Sequence, residues 1–277
     1  MAFESRMGRI VQQMKTKAGI QSVDRALTIL SLFNHRRPRL GITEISRILG
    51  LPKGTVHGLV RTLLRARFLE QELEGRKYQL GLKIYEMGIS LVGNLEINQK
   101  AAGALNKLSK NCRLVSRMAV WDGDSALIIL TIDPHFTSPF FSQIGPRIPG
   151  HSTAVGKAIL AFIDEQALRA YLDRTDLIPY TPKTLTQRKQ LLSDLGKIRQ
   201  RGYSMDQEET VLGLFCIGAP VFGQGGNPVA SISLSGDPKY FTGKRLQGMS
   251  ERLLKTAGDI SRTMGHFPRP LDLISIN

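Results

Sequence analysis

Apolar residues in the first third of the chain recur at helical spacing in three segments. SVDRALTILSLFNH predicts a first helix behind Ser22, a suitable N-cap residue. ITEISRILG predicts a short second helix that starts at Thr43 and ends at Gly50, and LPKGTVHGLVRTLLRARF predicts a third with Pro52 at its first position. Two short helices joined by a turn that contains glycine are typical of a helix-turn-helix unit. In the first helix, the residues predicted to face the core are Val23, Ala26, Leu27, Leu30 and Phe33.

The segment after these helices alternates as β-strands do. FLEQELEGRKYQLG predicts two short strands around a turn at Glu74 and Gly75, which together form a small wing. Helical spacing then returns, with an interruption at Gly93 and Asn94. The N-terminal part of the chain is therefore predicted as a basic flexible tail (residues 1–20), a winged helix-turn-helix domain (residues 21–81) and linker helices (residues 82–110).

Strand and helix patterns alternate in the remainder of the chain, residues 111–277. RMAVWDGDSALIILTID and CIGAPVFGQGGNPVASISLSG predict two hairpins. TAVGKAILAFI, LTQRKQLLSDLGKIRQRG and a last segment from Gly243 to Met264 predict helices. The predicted fold class is α+β, in which a winged helix-turn-helix and a linker helix precede a mixed α/β domain with a mainly antiparallel sheet.

The third predicted helix carries its polar residues on the side opposite its apolar stripe. Apolar residues from Val56 to Leu64 recur at i, i+3 and i+4 spacing and are predicted to face the core. The outward side then suits a recognition helix that enters a DNA groove. Glycine inside a helix costs roughly 1 kcal/mol relative to alanine, so two outward glycines suggest that a partner approaches closely. The residues predicted to contact DNA are Thr43, Lys53, Gly54, Thr55, His57, Gly58, Arg61, Arg76 and Lys77.

The charge of the chain favours a polyanionic partner. The net charge of +15 arises from 38 basic and 23 acidic side chains, and residues 1–90 alone hold 16 basic against 7 acidic ones. Cys112 and Cys216 are the only cysteines, which predicts neither a disulfide framework nor a zinc site. The sequence has no secretory signal and no run of 18 apolar residues. A cytoplasmic protein without metal, cofactor or membrane partner is expected.

Several motifs in this order resemble one family. SVDRALTILSLF, ITEISRILGLPKGTVHGLVRTL and RKYQLGLKIYEMG resemble the winged helix-turn-helix of IclR-type transcriptional regulators. GPRIPGHSTAVGKAILA, RGYSMDQEETVLGLFCIGAPVF and ASISLSG resemble that family's effector-binding domain. The family usually has serine where Gly54 stands and a long polar residue where Gly58 stands, so the resemblance implies the mode of DNA binding but not the operator sequence.

The resemblance implies a bacterial regulator that binds double-stranded operator DNA and is controlled by a small organic acid. It implies a GAF-like effector-binding domain. A single winged helix reads too few base pairs for useful specificity, so a homodimer or homotetramer is expected. The residues that the resemblance places around the effector are Ala154, Val155, Asp206, Leu214, Cys216, Ser233 and Ser235.

The segment GHSTAVGK is close to a phosphate-binding loop but does not match one. Five residues rather than four separate its glycines, and Ala158 rather than a hydroxyl residue follows Lys157. A helix that starts near Thr153 is predicted to bind a carboxylate with its free N–H groups, aided by the two serines named above. Asp206 is expected to accept a hydrogen bond from a ligand hydroxyl or from neighbouring donors. Lys157 is expected to point away from the buried side.

Two alternatives to a regulator involve other chemistry. His151, Asp206 and Cys216 form a possible cysteine-dependent hydrolase set, and GHSTAVGK could belong to a nucleotide-binding switch. Cysteine more often packs as a small apolar residue. For the strand that contains Ser233 and Ser235, spacing alone favours an ordinary half-exposed strand. The sequence therefore favours a DNA-binding regulator that is not an enzyme.

Overall fold

A computed structural model describes residues 19–34, 37–73, 75–135 and 147–267. The chain divides between Gly93 and Asn94 into two compact units. Most of the predicted basic tail, and Glu74 of the predicted wing turn, lie outside the described residues. Among the helices of the described part, none is long and apolar enough to cross a membrane.

The N-terminal unit combines helices with a small antiparallel sheet. Its strand order is β1-β3-β2, so the predicted wing strands β2 and β3 are joined by a third. The sequence pattern does not predict β1, because two residues are too few to show alternation. The elements are α1 (Gln21–Ser31), β1 (Leu40–Gly41), α2 (Ile42–Leu49), α3 (Lys53–Arg65), β2 (Leu69–Gln71), β3 (Lys77–Leu80) and α4 (Leu82–Asn94).

The turn between α2 and α3 is fixed at both of its ends. Gly50 ends α2 with a φ of 65°, a left-handed conformation that glycine adopts without strain. Ser46 donates its hydroxyl to the carbonyl oxygen of Leu51 at 2.6 Å. Pro52 is the N-cap of α3, which begins at Lys53, one residue later than predicted. The two helices therefore form the helix-turn-helix that the sequence predicts.

Helix α1 differs from the prediction at its start and on its buried face. It begins at Gln21, the preceding Ile20 supplies no side-chain cap, and Ser22 lies inside the helix. Val23 and Leu27 are 50% and 58% exposed, so the predicted core stripe is wrong at these positions. Apolar residues occur on more than one side of α1, and their spacing alone does not select the side that faces the core. Phe33 is buried as predicted, and Ala26 and Leu30 pack against the same core. The buried residues that were not predicted are Thr28, Ile29 and Leu32.

The C-terminal unit is built on an antiparallel sheet of order β6-β5-β4-β9-β8-β7. Both predicted hairpins, β4–β5 and β8–β9, are present. The elements β6, β7 and α7 were not predicted from the sequence. The elements are α5 (Glu96–Cys112), β4 (Val115–Trp121), β5 (Ser125–Ile132), β6 (Arg147–Pro149), α6 (Ala154–Leu160), α7 (Glu165–Arg174), α8 (Arg188–Arg201), β7 (Ser204–Gln207), β8 (Phe215–Phe222), β9 (Pro228–Gly236) and α9 (Gly243–Thr263).

The two faces of this sheet differ in character. Because successive side chains of a strand point to opposite faces, the residues of β8 and β9 divide into an apolar set and a set of serine, cysteine and glycine. The apolar set packs with α5 and α9 in one core that includes Leu105, Leu253, Ile217, Ile232 and Leu234. The opposite face contacts α6 and is called the effector face below.

Candidate functional site

Helix α3 presents a polar surface that the protein core leaves free. Val56, Val60 and Leu63 are buried, and Thr55 is half-buried. The cationic side chains on the outward side of α3 form no ion pair with any residue that the structure describes. The exposed residues Lys53, Gly54, His57, Gly58 and Arg61 are called the recognition face.

The two glycines of the recognition face are not required by packing within the chain. A Cβ built on Gly54 or Gly58 meets no atom within 4 Å. Both glycines also lie in a helix, where alanine would be more favourable by roughly 1 kcal/mol. Their open surroundings are what a helix needs if another molecule is to approach its backbone closely.

The remaining predicted DNA contacts lie on α2 and the wing. Thr43, Arg76 and Lys77 are all exposed. Lys77 also borders a surface cavity of about 550 Å³ whose rim holds further arginines that the sequence analysis did not single out. The basic stretch RRPRL before α2 was the available signal. These additional cationic residues are Arg37, Arg39 and Arg47.

Helix α6 packs closely on the effector face through two serines. Ser204 donates its hydroxyl to the carbonyl oxygen of Ala154 at 2.6 Å, and Ser231 donates to that of Val155 at 2.9 Å. A Cβ on Gly218 would lie 2.7 Å from the Ala154 carbonyl oxygen, so only glycine permits this approach. Ala154 and Val155, both predicted to line the effector site, are therefore buried at the junction of helix and sheet.

The register of the strands brings four other predicted effector residues together. Asp206 pairs with Cys216, and Cys216 pairs with Ser235 on the next strand. Ser233 lies two residues before Ser235 and points to the same face. All four side chains are buried. Leu214, the remaining predicted residue, is half-buried just before β8.

Burial alters the acid–base properties of this group. It raises the pKa of Asp206, against the opposing hydrogen bond from the Glu209 N–H, which lies 2.7 Å from the carboxylate. A neighbouring donor thus holds Asp206, as one of the two sequence-based expectations proposed. Burial and then the charge of Asp206 raise the pKa of the Cys216 thiol to about 12. The thiol is therefore neutral near pH 7.

The serines of the effector face fall into two kinds. Ser204 and Ser231 donate to α6, as described above. Ser233 is only 3% exposed, yet its hydroxyl has no hydrogen-bond partner among the described residues. The expectation of a half-exposed strand, which rested on spacing alone, is therefore wrong. Buried polar groups are normally satisfied, so an unpaired hydroxyl here indicates a place for a ligand or water.

Lys157 contradicts the expectation that it points away from the buried side. Its side chain is 1% exposed and its Nζ lies 2.6 Å from Glu209 Oε1 and 2.8 Å from Asp194 Oδ2. A buried lysine is tolerated when carboxylates pair with it. The partners lie 37 and 52 residues further along the chain, and the sequence alone gave no signal for them.

The geometry of GHSTAVGK does not suit a nucleotide. Lys157 is held by carboxylates and is not free to reach a phosphate. Thr153 accepts the N–H of Gly156 with its side chain at 3.2 Å, so one of the free helix N–H groups on which the anion expectation relied is already bound. The predicted Thr153 start is correct, and α6 runs for seven residues from Ala154.

The hydrolase alternative also lacks its geometry. The Nε2 of His151 lies 3.1 Å from the carbonyl oxygen of Ile178, and burial lowers the pKa of this histidine. Among the described residues, no hydrogen bond joins His151 to Cys216 or Asp206. An activated cysteine has a lowered pKa, whereas that of Cys216 is raised.

Arg117 is a polar residue of the effector face that the sequence analysis missed. It lies on β4 directly opposite Ser233 and is half-buried. The signal was present as the single charged residue of the mainly apolar strand VSRMAVW. Its placement beside the serines, however, follows from the β4–β9 register, which the sequence does not show.

Both units of the chain match known proteins. Residues 22–73 match the IclR helix-turn-helix domain, and residues 89–262 match the bacterial transcriptional regulator IclR C-terminal domain. The chain is 37% identical over 247 residues to the HTH-type transcriptional regulator XynR of Escherichia coli (strain K12), which covers 89% of this chain and 98% of XynR. The crystal structure of Thermotoga maritima IclR aligns with a TM-score of 0.68 at 29% identity, over 90% of this chain and 100% of that one.

A further solved structure has a bound small molecule. It is an IclR homolog from Microbacterium hydrocarbonoxydans complexed with 4-hydroxybenzoate, and it aligns with a TM-score of 0.73 over 88% of this chain and 98% of that one. At 21% identity, this likeness shows a shared fold.

Proposed function

Because the chain belongs to the IclR family of bacterial transcriptional regulators, we propose that α3 contacts operator DNA through the recognition face. The main support is that this face combines exposed cationic side chains with two glycines on which an added Cβ would meet no atom within 4 Å. Cations neutralise phosphates, and an open helix surface admits base edges. Thr43 and Thr55 near the helix starts, and Arg76 and Lys77 on the wing, complete the proposed contact set.

The same proposal assigns the control of DNA binding to the C-terminal unit, whose proposed ligand is a small organic carboxylate. Support comes from the buried group of Asp206, Cys216, Ser233 and Ser235 on the effector face, together with Ala154, Val155 and Leu214. The Microbacterium hydrocarbonoxydans homolog binds 4-hydroxybenzoate, which carries a carboxylate and a hydroxyl group. A ligand of this class would satisfy the unpaired Ser233 hydroxyl.

The proposed assembly is a homodimer or homotetramer. Helix α4 buries none of its residues within the described structure. Its exposed apolar side chains are numerous enough to require cover from another molecule, and a second copy would also supply the second half-site. Because the partner is operator DNA, the proposed location is the cytoplasm. The exposed apolar residues of α4 are Leu82, Tyr85, Met87, Ile89 and Leu91.

The proposal includes no catalytic activity, since neither alternative site has the geometry that its chemistry needs. Purified protein should hydrolyse neither ATP nor a thioester above the rate of a control without protein. Hydrolysis that disappears in Cys216→Ser or Lys157→Met would contradict this part of the proposal.

Operator selection tests the DNA-binding function directly. Purified full-length protein is mixed with fragmented genomic DNA of its source, and the retained fragments are sequenced. We expect a shared near-palindromic motif, with affinity for that motif falling steeply between about 50 and 200 mM salt. A scrambled duplex of the same length is the control. Equal affinity for the motif and for scrambled DNA at every salt concentration would contradict the proposal.

A further inference from the structure

Arg117 lies beside the two serines proposed to bind the effector. The strand register places Arg117 opposite Ser233, and Val115 opposite Ser235. Directly opposed residues of an antiparallel pair point to the same face with their Cβ atoms about 5 Å apart. Ser231 of that face contacts α6. The side chain of Arg117 therefore leaves the sheet on the effector face.

The charge of Arg117 reaches the centre of that face. Burial raises the pKa of Cys216, and Arg117 acts on the same thiol in the opposite direction. Cys216 lies on β8, one strand beyond Ser235. Arg117, Ser235 and Cys216 thus form one continuous group across three neighbouring strands.

Arg117 differs from the other cation of this region in its partners. The charge of Lys157 is balanced by Asp194 and Glu209. Within the described part of the chain, Arg117 forms no ion pair, although it is half-buried. A partly desolvated cation without a counter-ion attracts an anion more strongly than a fully solvated one does.

Ser233 adds a second, independent sign of a ligand. The residue as a whole is more than nine-tenths buried, its hydroxyl forms no hydrogen bond within the described part of the chain, and its position in the register is opposite Arg117. A guanidinium presents several N–H donors in a planar fork that matches a carboxylate, and a hydroxyl adds one more donor. Arginine and serine together provide the donor set that a carboxylate needs.

We propose that Arg117 is the carboxylate-binding side chain of the effector site, with the Ser233 and Ser235 hydroxyls as neighbouring donors. This assignment rests on the proposed function, in which the C-terminal unit binds a small organic acid. It moves the anion from the N-terminus of α6, where Thr153 already caps the helix, to the middle of the sheet.

The position of Asp206 narrows the ligand class. In the strand order β4-β9-β8-β7, Asp206 lies three strands from Arg117, which is roughly 14 Å across the strands, and Arg117 lies two residues along β4 from the position in register with Asp206. The Asp206 carboxylate accepts the Glu209 N–H and also interacts with Thr210, and its two oxygens have acceptor sites for a further donor. The ligand is therefore a hydroxylated carboxylic acid, with its carboxylate at Arg117 and a hydroxyl group directed toward Asp206.

Two alkylating reagents test the assignment without knowledge of the effector. Iodoacetate and iodoacetamide both form a carbon–sulfur bond with a thiolate and release iodide, but only iodoacetate carries a carboxylate. Full-length protein is treated with each reagent at about pH 9, where more thiolate forms, and the rate at Cys216 is followed by mass spectrometry. The ratio of the two rates does not depend on the thiolate fraction, so an effect of the substitution on the pKa of Cys216 cancels.

We expect Arg117→Met and Arg117→Gln to lower the iodoacetate-to-iodoacetamide ratio at Cys216 about tenfold, because the attraction of one partly buried charge is lost. Arg117→Lys, which keeps the charge, should retain most of the ratio. Cys112, at the end of α5, is an internal control whose ratio should not change. Thermal unfolding of each variant identifies any that fail to fold.

An unchanged ratio at Cys216 in a folded neutral variant would overturn the assignment. So would a wild-type Cys216 whose iodoacetate-to-iodoacetamide ratio is no higher than that of Cys112, because the site would then show no preference for a carboxylate. If the ratio depends on Arg117 but no acid changes the operator affinity, the carboxylate site stands and the proposed control of DNA binding fails.

Discussion

The recognition face of α3 and the effector face of the C-terminal sheet both carry polar residues, but their surroundings are opposite. Lys53, His57 and Arg61 are exposed, whereas Asp206 and Ser233 are almost fully buried. An exposed charge interacts weakly with its neighbours and remains available to a large polyanion. A buried polar group must be satisfied within the protein or by a ligand. Exposure thus suits DNA, and enclosure suits a small molecule.

The largest expected effect of a substitution lies beneath the effector face. Lys157→Met leaves Asp194 and Glu209 without their cation, and removing one partner of a buried ion pair costs about 3–5 kcal/mol. Urea denaturation should show this loss of unfolding free energy. Lys197→Met, which replaces an exposed lysine on α8, is the matched control and should change stability little. A loss below about 1 kcal/mol in Lys157→Met would mean that the buried pair is not formed.

On the recognition face, Arg61→Ala should weaken DNA binding without unfolding the protein, because Arg61 is exposed. If Arg61 contacts a base, the loss should be about 1–3 kcal/mol and restricted to the cognate operator. If it contacts phosphate, the loss should be similar on all sequences, with a shallower salt dependence. Fluorescence anisotropy on operator and scrambled DNA distinguishes these outcomes. Arg169→Ala, an exposed arginine on α7, is the control.

Unchanged affinity on both DNAs would remove Arg61 from the proposed contact surface. The exposure of a cationic side chain on α3 would then not indicate that it binds DNA, and the contrast drawn between the recognition face and the effector face would fail.

The stability of the protein should depend on pH through the buried carboxyl group of Glu209. Burial raises the pKa of Glu209 to about 7, against the opposing charge of Lys157. Because the folded pKa exceeds the unfolded value, this group's contribution to stability is fully present below about pH 4.5 and is lost as the pH rises through about 7. Relative to Glu209→Gln, the wild type should lose roughly 1–2 kcal/mol of unfolding free energy between about pH 5.5 and 8. Parallel changes in the two proteins would contradict the raised pKa.

The smallest expected effect separates packing from DNA contact. Gly58→Ala should stabilise the N-terminal unit by up to roughly 1 kcal/mol, because its Cβ meets no atom within 4 Å and alanine favours helix. The same change should weaken operator binding if DNA approaches the backbone there. Gly196→Ala, at an equally open helical glycine of α8, should stabilise its own unit without changing DNA affinity. A Gly58→Ala variant that binds the operator as tightly as the wild type would show that this glycine is not a contact point.

Local patterns predicted the features that depend on nearby residues. Glycine at position 50 and the apolar stripe of α3 define the helix-turn-helix, and both lie within a few residues of the structure that they determine. The core-facing residues of α1 were predicted wrongly at Val23 and Leu27, because apolar residues lie on more than one side of this helix. The strand β1 has only two residues and is too short to show alternation.

The effector face depends on contacts between distant parts of the chain. Spacing indicated that Ser233 and Ser235 share a face, but not that the face is buried. Neither the ion pairs of Lys157 nor the position of Arg117 opposite Ser233 follows from local sequence, because both arise from strand register and packing. Distant packing therefore decides which polar residues form the site.

The central claim is that a ligand on the effector face controls the binding of DNA by the recognition face. The most direct test measures the operator Kd with and without a saturating acid that binds the protein, such as 4-hydroxybenzoate or another hydroxylated acid from a calorimetric panel, and the Kd of the acid with and without operator. The account predicts equal factors in the two directions, of about 5–150-fold, and their loss in the double variant Ser233→Ala, Ser235→Ala. An acid that binds the effector face with the same Kd in the presence and absence of operator would contradict it.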